Sequence, residues 1–374
     1  MAVTPDGIPV SNRVDTTTER KLNAKVVDNT LNSTTYMSRV LGMAKPMAGK
    51  TYDYTIKISN SNLGQFIVGM ENLTMTASDT TVSMSFAHTA FTQPIVIPML
   101  EAFANTGPEA TIDMSMFKVE EAQAEGINRM GIAIYGTGAS NQPNGLENVI
   151  DDGTNASTIG GQSRTTYTSL KATVTASGGV LSLAKLGTLE DTISASGYDT
   201  ETPNIHVTTK ANWTLYELLV NPTVRETTTG YSSLPVRGMT LMRQVDLKGG
   251  AGFTALTYRG KPVIKDDNAT TNNWYMVNER YNEWRGRTTV PSMWKSFLEK
   301  VNLGKPKTIE GVEGTQVSGD FMGTSMPSPN NGFFYQQLMI LPQQAAAVAR
   351  YWIIGQYCTS QPRRNGKLTG VTGI

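Results

Sequence analysis

Residues 51–59 alternate strictly, with Tyr52, Tyr54, Ile56 and Ile58 on one side and Asp53, Thr55, Lys57 and Ser59 on the other. A period of two marks a half-buried strand. It returns at residues 81–86, where Val82, Met84 and Phe86 share a face, and runs on through Phe91 to Ile97. The two stretches therefore read as the legs of a long hairpin. The segment between them, LGQFIVGMENLTMTASD, carries Phe66, Ile67, Val68, Met70, Leu73 and Met75 at a place where connecting segments are normally polar. After Pro108 the period changes to three and four. Ile112, Met116, Val119, Ile127, Met130 and Ile134 form one stripe, with Gln123 its only polar step. This predicts a helix over about residues 109–135, roughly 36 Å long at 1.5 Å per residue, closed by Gly136 and Gly138.

Upstream, TTTERKLNAKVVDNTLNSTTYMSRVLGMAK offers two short amphipathic helical segments before Pro46. They belong to an extended arm that buries little by itself and needs a partner surface to be ordered. Downstream, the pattern predicts a helix over 181–195, a short buried strand over 203–208 and a helix over 212–220. A hairpin-like return follows over 259–277, then a strand pair over 333–341 and 351–356, and a polar tail, TSQPRRNGKLTGVTGI. The mixture is α+β, and residues 181–220 alternate as in a small α/β domain.

Length and composition narrow the picture. A chain of 374 residues has room for two main domains, or for one with large insertions. Charged residues make up 17%, against roughly 25% in an average soluble domain, so Thr, Ser, Asn and Gln must cover much of the surface. A viral shell subunit and a secreted adhesin would both have such a surface. Lys+Arg 32 against Asp+Glu 31 leaves a net charge of +1, which provides no electrostatic footprint for specific nucleic-acid binding. Cys358 is the single cysteine, which excludes an intrachain disulfide and a cysteine-based metal cluster. The N-terminus lacks a basic region followed by an apolar stretch, and the apolar run 95–100 is broken by Pro98, so neither a signal peptide nor a membrane span is expected.

Candidate chemistry fails on spacing. Gly161-Gln162-Ser163-Arg164-Thr165 lacks the second glycine of a nucleophile elbow, and the two histidines, His88 and His206, lie on predicted strands as core or interface residues. Gly136-x-Gly138 follows a helix, where a dinucleotide fingerprint must follow a strand. In Lys248-Gly249-Gly250-Ala251-Gly252 the lysine precedes the glycines, so no phosphate loop is formed. Asp151-Asp152-Gly153 and Asp266-Asp267-Asn268 lack the distal glutamate of a calcium loop and are expected as solvated turns. Glu120, Glu121 and Glu125 suit an exposed or intersubunit salt-bridging face. No catalytic residue, metal ligand or cofactor site is expected.

The order of elements says more than any single motif. Gly145-Leu146, Val149-Ile150 and Gly160-Gly161-Gln162-Ser163-Arg164 follow the helix-ending YGTG, and then come PNIHVTTKANWTLYELLVNPTVRE and YRGKPVIKDDNATTNNWYMVN. In this order the chain resembles the major capsid proteins of tailed bacteriophages, which have the Hong Kong 97 phage fold. The resemblance implies an N-terminal arm at 1–47, an extended hairpin loop at 48–100 and a peripheral domain at 101–165 containing the spine helix. It further implies an axial domain at 166–280 and a return to the peripheral domain at 281–374. Residues 286–332 exceed a minimal return and are expected to hold an insertion.

The implied function is structural: hexamers and pentamers of one chain forming an icosahedral shell around double-stranded DNA, with no sequence specificity, cofactor or membrane. Scaffolding, portal and decoration proteins are the implied partners, and the virion, assembled in the host bacterial cytoplasm, is the implied location. Lysine, asparagine and glutamate crosslink residues known in the family are not assignable here, and no long cleaved N-terminal segment is expected. Gly160 and Gly161 are expected to permit a tight backbone path, and Arg164 to anchor domain or subunit contacts. Phe66, Ile67, Val68, Met70, Leu73 and Met75 are expected to contact a neighbouring subunit. An encapsulin-like compartment is the alternative within the same fold. A Thr/Asn-rich secreted adhesin or carbohydrate-active protein is the alternative of another class.

Overall fold

The computed structural model describes residues 2–3, 9–10, 34–61, 63–70, 72, 76, 79–104, 114–139, 141–194, 201–220, 256–289, 298–300, 307–308, 316–317, 320–321, 324–325, 332–340 and 345–373. Its hairpin follows from the alternation. Strand Thr51–Lys57 pairs antiparallel with Thr81–Ala87, placing Tyr52 opposite Phe86, Tyr54 opposite Met84 and Ile56 opposite Val82, so the apolar sets of both legs share one face. The second leg does not run on as hairpin to Ile97. After His88 the chain enters a separate strand, Thr89–Pro98, which joins a six-stranded sheet.

The 14-residue strand Ala346–Thr359 is the spine of that sheet. Thr89–Pro98 pairs antiparallel along one edge, from Ala346 opposite Pro98 to Gly355 opposite Thr89. Two strands share the other edge, because Ile353 also pairs with Phe333 and Gly355 also pairs with Gly286. Phe333–Ile340 and Asn282–Arg287 therefore lie end to end, and Leu298–Lys300, from the chain between them, pairs antiparallel with Phe333–Ile340 as a further strand of the sheet; most of the expected insertion 286–332 lies outside the described residues. The helix Met114–Ala133 crosses this sheet. Ile127, Met130 and Ile134 are buried in one cluster with Ile95, Ile97, Tyr351 and Ile353. Ile112 and the side chains of Met116 and Val119 lie outside the described residues, as do residues 105–113, over which the helix was expected to begin.

The second six-stranded sheet has the order Leu256–Tyr258, Lys261–Lys265, Ile205–Thr208, Trp274–Val277, Gly366–Leu368, Thr173–Thr175. Leu183–Ile193, with Ser182 as its N-cap, and Lys210–Val220 are its helices; Leu186, Leu189, Ile193 and Tyr216 share a cluster with Trp274, Met276 and Leu368. Two expectations are corrected here. Lys261–Lys265 and Trp274–Val277 are not a hairpin, because Ile205–Thr208 lies between them, parallel to the first and antiparallel to the second. All four residues of that strand are buried, so its backbone groups need ladder partners on both sides. The tail is not a polar appendage of the first sheet either. Gly366–Leu368 pairs with Trp274–Val277 and Thr173–Thr175, and a Cβ on Gly366 would stand 2.4 Å from Cδ1 of Ile193, so only glycine fits.

The helix Thr35–Gly42 docks where the two sheets meet. Helix Thr35–Gly42 buries Tyr36, Met37, Val40 and Leu41. The Tyr36 backbone N–H donates to Asp266 at 2.9 Å, its hydroxyl lies 2.7 Å from that of Tyr357, and Arg39 pairs with Glu279. The other helical segment expected in the arm lies outside the described residues, as does Lys248 to Gly252.

Candidate assembly interface

The hairpin stands on a small apolar base. Met84, Phe86, Ile159, Leu170 and Cys358 are buried together, with Tyr54, Ile56 and Tyr167 packed against them. The turn Gly160-Gly161, between Thr158–Ile159 and Gln162–Ser163, holds the outer leg. Both glycines have left-handed φ, +53° and +77°, and a Cβ on Gly160 would stand 2.7 Å from the Met84 Cβ. Because the backbone comes this close, the Ser85 N–H donates to the Gly160 carbonyl at 2.9 Å, and the Gln162 side-chain amide donates to the Ser83 carbonyl at 2.8 Å. The other leg is held by charge. The Tyr54 hydroxyl donates to Glu283, which also pairs with Lys45 and Arg285, and the Arg285 guanidinium sits 3.7 Å from the Tyr52 ring centroid. Burial pushes the Glu283 carboxyl up, but its hydrogen bonds to Lys45 and Tyr54 and the nearby cations outweigh this and hold it below the usual range.

Arg164 is bonded within its own chain. It is fully buried, and its guanidinium donates to the carbonyls of Ala156 at 2.7 Å and Leu170 at 3.3 Å and to those of Asn148, Val149 and Thr158. Five acceptors from its own chain saturate the fork, so it knits together the loop beneath the hairpin. Burial lowers its pKa. The aspartate pairs are solvated only at their second members, Asp152 and Asp267. Asp151 is buried and accepts from the backbone of Gly153 at 2.8 Å and Ala156 at 2.9 Å and from Asn155. Asp266 is buried against Tyr36 and Asn268, and its pKa is raised by burial. Backbone N–H donors replace water at both carboxylates, all of them near in sequence at Asp151 and one of them, from Tyr36, distant at Asp266.

The tip is of a different character. Leu63, Phe66, Ile67, Val68 and Met70 are all exposed, Phe66 and Met70 completely and Val68 to 88%. Leu73 and Met75 lie outside the described residues. Rigid base and bare apolar end together make a projecting surface suited to another molecule. Among the described residues no group of three His, Cys, Asp or Glu side chains could hold a metal ion. His206 is buried against Trp274, whose Nε1–H donates to its Nδ1 at 3.3 Å, and burial lowers its pKa to about 3. No helix is long and apolar enough to cross a membrane among the described residues.

Sequence reasoning missed a second buried group, Lys367. Its ammonium, fully buried, meets Glu147 at 2.5 Å, and Glu147 also accepts from Tyr275 and Asn273. Nothing local in GKL signals this, since its partner stands 220 positions away.

No protein-family model and no curated protein matches the sequence. Solved structures do match. The cyanophage A-1(L) capsid subunit superposes with a TM-score of 0.68 at 11% identity, over 97% of this chain and 100% of that one. The capsid protein of Myoviridae phage XM1 gives 0.53 at 10% identity, over 97% and 99%. The encapsulin of the holo-SrpI complex from Synechococcus elongatus PCC 7942 gives 0.52 at 9% identity, over 97% and 96%. At these identities the likeness establishes the fold: the chain has, over nearly its whole length, the α+β fold of phage capsid subunits, which the encapsulin shares.

Proposed function

We propose that this chain is the major capsid protein of a tailed bacteriophage, assembling as hexamers and pentamers into an icosahedral shell around double-stranded DNA. The likeness to the cyanophage capsid subunit, spanning all of that chain, carries the reading. The hairpin gives it a physical means. Phe66, Ile67, Val68 and Met70, with Leu73 and Met75 beyond them, lie across the next subunit of the same capsomer. Full burial is worth about 1.5–3 kcal/mol for each such side chain before ordering costs are subtracted. Tip on body is a heterologous contact, the type that closes into rings. In this reading the helix-crossed sheet is the peripheral domain, the other sheet is the axial domain, and the role is structural rather than enzymatic. The subunit resides in the virion, assembles in the host bacterial cytoplasm, and works with scaffolding, portal and decoration proteins.

The encapsulin likeness favours a second reading, a compartment enclosing protein. Particle contents separate the two. Particles isolated from the native source should hold nuclease-protected double-stranded DNA; particles holding an enzyme and no DNA would establish the compartment instead.

A further inference from the structure

Lys367 is the middle residue of Gly366–Leu368, and its side chain is 1% exposed. Two carboxylates face it. Glu147 Oε2, from the short helix Leu146–Val149, lies 2.5 Å from the ammonium, and Asp151 Oδ1, just past that helix, lies 3.8 Å from it. The second sheet brings the three together. Lys367 stands in register between Tyr275 and Val174, and the Ala172 N–H, next to Thr173–Thr175, donates to the Asp151 backbone carbonyl at 2.9 Å. Both carboxylates are oriented. Glu147 Oε1 accepts from the Tyr275 hydroxyl and from the Asn273 amide at 2.7 Å, which leaves Oε2 for the lysine. Asp151 Oδ2 accepts from the N–H groups of Gly153 at 2.8 Å, Ala156 at 2.9 Å and Asn155 at 3.2 Å. Oδ1 accepts from the Asn155 side chain at 3.3 Å and is the oxygen on the lysine side. One counter-charge would suffice for a buried lysine. A second carboxylate leaves the three groups with a net negative charge away from water, which is costly for an ion pair alone.

We propose that Lys367 and Asp151 become joined by an isopeptide bond that the folded chain forms by itself, with Glu147 as general base. Glu147 takes a proton from the ammonium and passes it to Asp151 Oδ1, so that a neutral amine faces a carboxylic acid. The Nζ lone pair then attacks Cγ, and the electron pair of the carbonyl moves onto Oδ2, where three N–H groups hold the oxyanion. A second proton passes from Nζ through Glu147 to Oδ1. The Cγ–Oδ1 bond breaks, water leaves, and the Oδ2 carbonyl re-forms. Ammonium and carboxylate have then become one amide and one water, with Glu147 as it began and no other reactant needed. Burial favours this direction, because two buried charges give way to a neutral amide in a site closed to water. The fold supplies the proximity, and the flexible lysine stem needs only a small rotation to close the remaining gap. Both groups belong to one subunit, so the inference does not depend on assembly. The bond would tie the last strand of the second sheet to the loop that carries Gly160 and Arg164.

Intact-mass spectrometry of the denatured full chain tests this. The mass should lie one water below that of the sequence, and trypsin should release residues 130–164 joined to residues 365–374, uncut at Lys367. Full mass in the folded chain, with the two peptides separate, would overturn the inference. Asp152-Gly153 can also lose water, as a cyclic imide that mild alkali reopens. A loss reversed by alkali, without joined peptides, would therefore overturn the inference as well. Glu147→Gln keeps the shape but not the base, and should be recovered folded at full mass; a bond formed as completely in this variant would contradict the role given to Glu147. Lys367→Arg keeps the charge and should show no joined peptides. If the variants misfold, the mass and peptides of the unsubstituted chain still decide.

Discussion

Gly160 is where one atom decides a contact. Its left-handed φ and the 2.7 Å approach of an added Cβ to Met84 mean that Gly160→Ala strains the turn and pushes it off the hairpin. A loss of about 1–3 kcal/mol is expected in chemical denaturation, together with faster hydrogen exchange at Ser85. Arg164→Met should cost more, about 3–5 kcal/mol, because it leaves a set of buried carbonyls without donors. The loss should appear in the thermal unfolding of the free subunit, because every one of these bonds is internal. His206 makes a prediction about pH. Its folded pKa, about 3, lies below the ordinary value of 6.5, so the unfolded chain takes up the proton first as pH falls. The contribution is complete above about pH 6.5 and is lost as pH falls toward 3, at up to about 1.4 kcal/mol per pH unit. His206→Gln should flatten the acid limb of the stability curve in that window; an unchanged slope would show that another group carries it.

The elements divide into those that local pattern encodes and those that distant partners decide. The hairpin legs were legible because alternation is a property of neighbours in sequence, and both legs put their apolar residues on the shared face. The helix stripe was legible for the same reason through Ile127, Met130 and Ile134. Hydrophobicity does not say which strands pair. The placing of Ile205–Thr208 between Lys261–Lys265 and Trp274–Val277, and the capture of Gly366–Leu368 by the second sheet, depend on chain up to about two hundred residues away. Lys367 escaped notice for a related reason, since its partner Glu147 stands 220 positions away. Asp151 was misread although its donors, Gly153, Asn155 and Ala156, are near in sequence, because a turn looks the same by residue type whether buried or solvated. The tip was legible as an apolar segment, and it is exposed, whereas Arg164, expected to anchor domain or subunit contacts, is bonded within its own chain. The hairpin as an element yields its own test. Replacing residues 60–79 by an Asn-Gly turn should leave a cooperatively folded subunit, because the base is held by Gly160, Gln162 and Glu283, and should abolish assembly. Normal particles from this variant would show that the tip is not an intersubunit element.

At the scale of the whole molecule, two sheets share one continuous core at helices Thr35–Gly42 and Met114–Ala133, while the apolar hairpin tip stays bare. A net charge of +1 leaves little long-range repulsion between copies, so short-range apolar contacts can drive association. Light scattering on the purified chain, followed from low to high salt, tests this account most directly. The account predicts a transition from subunits of 40.5 kDa or their rings to closed particles of megadalton mass. A chain that remains a stable monomer of 40.5 kDa under every condition, with its tip as exposed as Phe66 and Met70 are here, would contradict it.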